Sequence, residues 1–361
     1  MKLIKGLIKL VVAIITIILL VAIGYFAYIM ISYDRIDDNV VLDVEGSATK
    51  TQVELDTTYT IVTQNIGFGA YEQDFTFFMD GGTESWARSE ETVKRLVSEA
   101  ADEVSSFNPD FILIQEVDLD STRSYHINEL DLLKDKFAGY SFAKAINYHS
   151  AYLMYPFNKP HGKSNSSLVT FSDFVIASSL RRSLPISNSL SKFLDLDRCY
   201  SVSRIPVSNG KELVIYNVHL SAYGGSDEIR RGQTTMLFGD MQAEYEKGNY
   251  CVCGGDFNHD FTGDSTQKLN GGSDVDFGWA MPFPIEVLNE YSGLVRCTNY
   301  NNDEIKPTCR NCDVPYKEGN FTIIVDGFLV SKNVEVVYLE NIVTGFTYSD
   351  HNPVVMKFIL R

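Results

Sequence analysis

Eight polar residues stand where apolar stretches of the sequence end: Asn65, Glu116, His219, Asp256, Asn258, Asp326, Asp350 and His351. A carboxylate in such a place is costly unless it is paired, hydrogen-bonded or bound to a cation. Four carboxylates, two imidazoles and two carboxamides recurring this way have the composition of a hard-metal site that handles phosphate. Oxygen ligands suit Mg2+ or Mn2+, imidazoles transfer protons and donate hydrogen bonds, and amides donate to phosphoryl oxygens. Metal and imidazoles stabilise the charge that builds on a pentavalent phosphorus, and a carboxylate makes water a better nucleophile.

The elements that must carry these residues read as short apolar, β-branched runs. TTYTIVTQNIGFG (57–69) is a strand leading to a loop, and FILIQEVD (111–118) is four apolar residues followed by acids. Further strands are predicted at 167–172, 200–208, 212–221, 249–258, 321–331, 334–340 and 351–360. Helical spacing appears within 84–106, at Val93, Leu96, Val97, Ala100, Ala101 and Val104, and again over 227–246, at Ile229, Met236, Leu237 and Met241. Many strands, few helices and polar strand ends predict two packed sheets with helices outside and a site along one edge. Most of the strands are nearly continuously apolar, as burial on both faces requires.

In order along the chain, QNIG (64–67), QEVD (115–118), NVHLS (217–221), GGDFN (254–258), VDGFLVS (325–331) and SDHNPV (349–354) resemble the endonuclease/exonuclease/phosphatase superfamily over about residues 57–361. The resemblance implies an α+β fold, a four-layered α/β sandwich of two packed, mostly antiparallel sheets flanked by helices. It also implies metal-dependent cleavage of a phosphate ester. Carried over residue by residue, it makes Glu116 the principal metal ligand with Asn65 beside it, and Asp350 a ligand or support of Mg2+ or Mn2+. Asp256 would orient or deprotonate the attacking water, and Asn258 would donate to the phosphate. His351, oriented by Asp326, would contact a non-bridging oxygen or protonate the leaving group, and His219 fits the other phosphate-contacting position. Plainer roles stand beside these: Asn65 as a turn cap before Gly67, His219 as a hydrogen-bonded core histidine, Asp326 as a turn residue before Gly327. Asp118, His126, His149, His161 and His259 are read as surface groups.

From Leu10 to Tyr33 no residue is charged, a length that crosses about 30 Å of hydrocarbon as a helix. A cleaved signal peptide would have a shorter core and a small-residue cleavage site, which Tyr25, Phe26, Tyr28 and Met30 do not provide. Lys2, Lys5 and Lys9 on one side and Asp34, Asp37 and Asp38 on the other put the N-terminus in the cytoplasm. The expected organisation is a cytoplasmic stub (1–9), a single-pass membrane anchor (10–33), a polar stalk or edge strand (34–56) and an extracytoplasmic catalytic domain (57–361).

The chain has 31 Lys and Arg against 47 Asp and Glu, a net charge of −16, and the anchor region accounts for +3, so the rest carries −19. Such a body is a poor binder of nucleic acid, whose affinity comes from cations displacing phosphate counterions. Arg181, Arg182, Arg230 and Arg231 are few against the acids around the motifs. Two loops are rich in aromatic and apolar residues instead, 147–162 and 277–288, the second with Phe277, Trp279, Met281 and Phe283. They either cover the sheet edges or sit at a lipid interface, where Trp and Tyr are favoured. Cys251 and Cys253 alternate on a buried strand and face one core, whereas Cys297, Cys309 and Cys312 are expected to form one disulfide and a spare thiol, with a structural metal as the alternative. The expected activity is hydrolysis of a phosphodiester in a lipid head group or other small phosphorylated substrate. An extracellular metal-dependent endonuclease is the alternative within the same chemistry. A catalytically silent binding module is opposed by the presence of every acid, amide and histidine of the motif set.

Overall fold

The computed structural model describes all residues except 1, 191, 196, 223–225, 272–277, 280 and 302–303. The strands in chain order are β1 (Val40–Leu42), β2 (Val44–Gly46), β3 (Thr58–Asn65), β4 (Phe111–Asp118), β5 (Ser141–His149), β6 (Asn165–Ser172), β7 (Ser178–Ser183) and β8 (Cys199–Pro206). They continue with β9 (Glu212–His219), β10 (Tyr250–Asp256), β11 (Leu294–Arg296), β12 (Cys309–Arg310), β13 (Thr322–Ile323), β14 (Asp326–Ser331), β15 (Val334–Asn341) and β16 (Val354–Leu360). One seven-stranded sheet runs β1-β7-β8-β9-β10-β14-β11, a second runs β15-β16-β3-β4-β6-β5-β2, and β12 pairs with β13. The helices that matter below are α1 (Lys2–Ser32), α2 (Glu90–Ser106), α3 (Glu129–Lys136), the single turn α4 (Lys192–Asp195) and α5 (Asp227–Glu246).

Each large sheet is antiparallel except at its centre, where β3 runs parallel to β4 and β9 to β10. A parallel pair needs a crossover, and α2 and α5 supply the two. Both helices begin at a serine cap: Ser89 accepts from the Thr92 N–H and Ser226 from the Ile229 N–H, with two acids in each first turn. The apolar stripe of α2, including Val93, Leu96 and Val97, packs with Leu133 of α3 on Ile112, Ile114 and Val169. Leu237, Phe238 and Met241 of α5 pack on Val214, Tyr216, Cys251 and Cys253. Ile61, Phe111, Leu113, Ile215, Val252, Phe328 and Met356 fill the space between the sheets. The result is the expected four-layered sandwich, helix, sheet, sheet, helix, preceded by the long apolar α1.

Helix α1 spans 31 residues, has no buried residue, and is long and apolar enough to cross a membrane. Of the polar stalk or edge strand expected over 34–56, the edge strand forms and the stalk is corrected: β1 pairs with β7 at the edge of one sheet, β2 pairs with β5 at the edge of the other, and Val53 is wholly buried. Three-residue strands bounded by acids are short enough to look like polar linker while still closing two sheet edges. The expected disulfide is corrected too, since all six cysteines are free and buried. Cys297, Cys309 and Cys312 belong to three different apolar clusters.

Candidate active site

The carboxyl ends of the four parallel strands deliver Asn65 (β3), Glu116 (β4), His219 (β9) and Asp256 (β10) to one end of the sandwich. The register sets Asp256 opposite His219 on one side and opposite Asp326, the first residue of the antiparallel β14, on the other. His351 precedes β16, which runs antiparallel to β3, and so arrives at the same end. A register shift in β4 between Ile114 and Val117 puts Glu116 at φ 58°, and Asn258 sits at φ 49°. Left-handed backbone at a non-glycine residue costs roughly 1–2 kcal/mol and is tolerated where surrounding structure fixes it. The bulge aims the Glu116 side chain into the cleft, where it is 25% exposed.

The cleft has a volume of about 120 Å3 and is lined by Glu116, His219, Asp256, Asn258, Asp350 and His351 among others. Asn65 and Asp326 lie directly behind these. The Asn65 amide donates to Glu116 Oε1 and to Asp256 Oδ2, both at 3.2 Å, and its oxygen accepts from the Gly67 N–H at 3.0 Å. Asp326 Oδ2 is 2.8 Å from His351 Nδ1, and His351 Nε2 is 3.8 Å from Asp256 Oδ2. His219 Nε2 lies 3.5 Å from Asp256 and 4.0 Å from Glu116. The Asn258 N–H donates to Asp256 Oδ1 at 2.8 Å, and its amide donates to the Leu220 carbonyl at 2.9 Å. All eight residues read from the strand ends are thus brought together.

Burial dominates the electrostatics. It pushes Asp256 above the usual carboxylate range against the pull of His351, and it lifts Asp350 to about 6. It depresses His219 well below its ordinary value, with Arg198, His351 and Arg123 adding to the effect. It would lower His351 also, but Asp326, with Cys309, Asp350 and Asp256, holds that imidazole well above its ordinary value. Two histidines in one cleft are therefore driven apart, one neutral and one cationic. Ligand-bearing atoms of Asp256, Asp326 and His351 lie within 4.8 Å of one another, and buried Asp326 Oδ1 and His219 Nδ1 have no hydrogen-bond partner among the described residues. The carboxylates of Glu116 and Asp350 that line the cleft give it the oxygen donors that suit a divalent cation.

The sequence reading missed the cationic lining. Arg123, Arg198 and Arg310 reach the cleft from outside the strand ends. Arg123 is held by two bonds to Asp118, 3.0 and 2.9 Å, lies 3.8 Å above the Phe68 ring, and is 3.9 Å from Glu116 Oε2. Asp118 is consequently not a surface group, and neither are His161 and His259. His161 lines the cleft and burial lowers it to about 4, while His259 is buried beside Phe283. His149 is half-buried against Asp197, and His126 is exposed. Cys309 also lines the cleft and bridges to His351 through its backbone. The arginines weighed for DNA are used internally: buried Arg181 donates to backbone carbonyls, Arg230 donates to the Ala222 carbonyl, Arg182 pairs with Asp38 and Asp240, and Arg231 pairs with Glu286. Of the second aromatic loop, Phe277 lies outside the described residues, Phe283 is core, and Trp279 lines the cleft, donating to Asn311.

The family model described as "Endonuclease/Exonuclease/phosphatase family" matches residues 62–351. No curated protein sequence matches the chain. Among solved structures it is similar to ANGEL2, a 2',3'-cyclic phosphatase, with TM-score 0.54, 15% identity, and 89% of this chain and 99% of that one covered. It is similar also to an endonuclease/exonuclease/phosphatase from Beutenbergia cavernae, with TM-score 0.53, 16% identity, and coverage of 84% and 72%. A third, from Bacteroides vulgatus, gives TM-score 0.53, 16% identity, and coverage of 85% and 100%. These likenesses establish the fold, and the family model covers the motif set from β3 to His351: the chain belongs to the endonuclease/exonuclease/phosphatase family.

Proposed function

We propose that the chain is a membrane-anchored, extracytoplasmic phosphodiesterase, dependent on Mg2+ or Mn2+, that hydrolyses a phosphodiester in a lipid head group or another small phosphorylated substrate. The observation that carries this is the convergence of Glu116, Asp256, His219 and the Asp326–His351 pair on one cleft. Glu116, with Asn65 and Asp350, would hold the cation, which when bound supplies charge neutralisation at a phosphoryl oxygen. The Asp256, Asp326 and His351 cluster has ligand composition as well, but Asp326 and His351 already satisfy each other at 2.8 Å. A cation there would break that bond, whereas Glu116 faces the cleft with open lone pairs.

Asp256, whose carboxylate resists ionisation in its buried place, takes a proton from water. Asp326 keeps His351 protonated, and Nε2 faces the reacting side, placed to donate to the leaving oxygen. Neutral His219 offers an N–H to a non-bridging oxygen. Asn258 uses one amide hydrogen on Leu220, leaving the other for phosphate. Helix α1, with lysines in its first turns and acids after it, would cross the bilayer with the N-terminus inside, residues 1–9 as stub and 10–33 as anchor. The full chain in nanodiscs with Mg2+ or Mn2+ is expected to hydrolyse an aryl phosphodiester, and Asp256→Ala or His351→Ala to abolish this. Activity that survived both substitutions and chelation would overturn the assignment. Sphingomyelin vesicles, phosphoinositides and plasmid DNA assayed side by side identify the substrate.

A further inference from the structure

Four large side chains within six residues, Tyr152, Met154, Tyr155 and Phe157, face solvent, Phe157 being 84% exposed. This segment is bonded to α1. The Tyr25 hydroxyl donates to the Tyr152 carbonyl at 3.2 Å and accepts from the Met154 N–H at 2.9 Å, and the Tyr28 hydroxyl accepts from the Tyr152 N–H at 3.1 Å. Tyr25 stands seven residues before Ser32, about 10 Å along the helix axis. The segment therefore does not stop at the end of the helix but reaches back alongside its apolar length. At the helix exit, Tyr33 packs on Phe193 of α4 with ring centroids 5.5 Å apart, the Lys192 ammonium lies 4.3 Å from the Tyr33 ring, and nearby Leu190 is 60% exposed.

We propose that the 152–157 segment, with Leu190 and Lys192 beside it, enters the polar–apolar boundary of the bilayer crossed by α1 and holds the cleft against that surface. The occupant is lipid because the segment is tied to side chains on a helix that carries no charge on any face from Leu10 on. Anything covering the segment would also have to accommodate that helix. Tyrosines and apolar tips are favoured at this depth, and Lys192 suits the head-group phosphates just above it. The segment also leads to the cleft: Tyr155 packs on Phe78 at 5.7 Å, and Phe77, Met79 and His161 are cleft lining. On the reading of the site as a phosphodiesterase, on which this further step rests, the substrate is a membrane phospholipid whose head group enters the cleft while its chains stay in the bilayer.

The test uses the full chain in phosphatidylcholine nanodiscs with an environment-sensitive fluorophore on Phe157→Cys. Val337→Cys, on β15 at the sheet edge remote from β5, is the reference, and the native cysteines are buried. Blue-shifted emission quenched by doxyl lipid is expected at 157 and not at 337. Water-like, unquenched emission at 157, repeated with Tyr155→Cys, would overturn the proposal. Tyr25→Phe with Tyr28→Phe keeps the helix apolar, removes the three bonds, and is expected to weaken the quenching several-fold. Phe157→Ser is expected to slow hydrolysis of vesicle phospholipid several-fold and leave a soluble aryl phosphodiester unchanged, and an equal loss on both contradicts the membrane role. Absence of any hydrolysis by the unsubstituted chain would refute the phosphodiesterase reading while leaving the quenching result to stand or fall separately.

Discussion

At the scale of residues, the cleft works by holding like groups in unlike states. Asp326 is the main charge that keeps His351 protonated despite burial. Asp326→Asn is therefore expected to lower the His351 pKa, moving the alkaline limb of kcat/KM to lower pH and cutting the neutral-pH rate by about 10^2 or more. A pH–rate profile with an unmoved alkaline limb would remove His351 from the role of acid. Asp350 gives a second, metal-linked prediction. Its ordinary value is 3.8 and burial lifts it to about 6, so the folded chain keeps its proton longer than the unfolded chain does. Stability from this group is complete below about pH 4 and falls as pH rises through 6, by roughly 3 kcal/mol without metal. A divalent cation relieves the buried charge, so Mg2+ or Mn2+ should raise Tm more at pH 7 than at pH 4.5. Equal shifts at both pH values in thermal unfolding would show that Asp350 does not face the ion.

At the scale of elements, the site depends on a few backbone positions. Gly67 follows β3 at φ +53°, and a Cβ there would stand 2.5 Å from the Tyr71 ring and 2.8 Å from Asp350 Oδ1. Gly67→Ala is expected to cost about 1–3 kcal/mol and to displace Asp350, lowering Tm and activity together. The two edge strands make a prediction about boundaries. Arg181 is buried and donates to the carbonyls of Ile36 and Asp37, so a chain beginning at Thr57 loses β1, β2 and part of that cradle. It is expected to aggregate on expression, whereas one beginning at Asp34 stays cooperative in thermal melts. The strand ends were legible in sequence because a buried carboxylate after four apolar residues is conspicuous by its cost. Arg123, Arg198 and Arg310 were not legible, since they enter from a single 3-10 turn, a loop and a two-residue strand, and only tertiary folding puts them at the cleft. The fold was legible from β-branched runs joined by two amphipathic helices. The exceptions were β5, β7, β11, β12, α3 and α4, with β1 and β2 read only as an alternative to a stalk, and their short or polar runs acquire their periodicity from the sheet edges and helix faces they cover.

At the scale of the whole molecule, the charge and the proposed anchoring point the same way. Outside the anchor region the body carries −19, and its surface arginines are committed to acids, as with Arg88 to Glu72, Asp74 and Glu84. A duplex approaching the cleft meets net repulsion, while on the proposed reading a phospholipid would reach it from the plane of the bilayer that α1 would cross. The two substrates respond oppositely to the medium. A cationic nuclease loses DNA affinity as salt rises, because releasing condensed counterions into a saltier solution gains less entropy. Here added monovalent salt screens repulsion over about 10 Å at 0.1 M, so any residual cleavage of plasmid DNA should rise or stay level between low and moderate ionic strength. Hydrolysis of zwitterionic lipid in vesicles, governed by the anchor and the apolar segment, should change little over the same range. Plasmid cleavage that is fast at low salt and falls steeply as salt is added would show a cationic DNA path across the surface, and would return the endonuclease reading to first place.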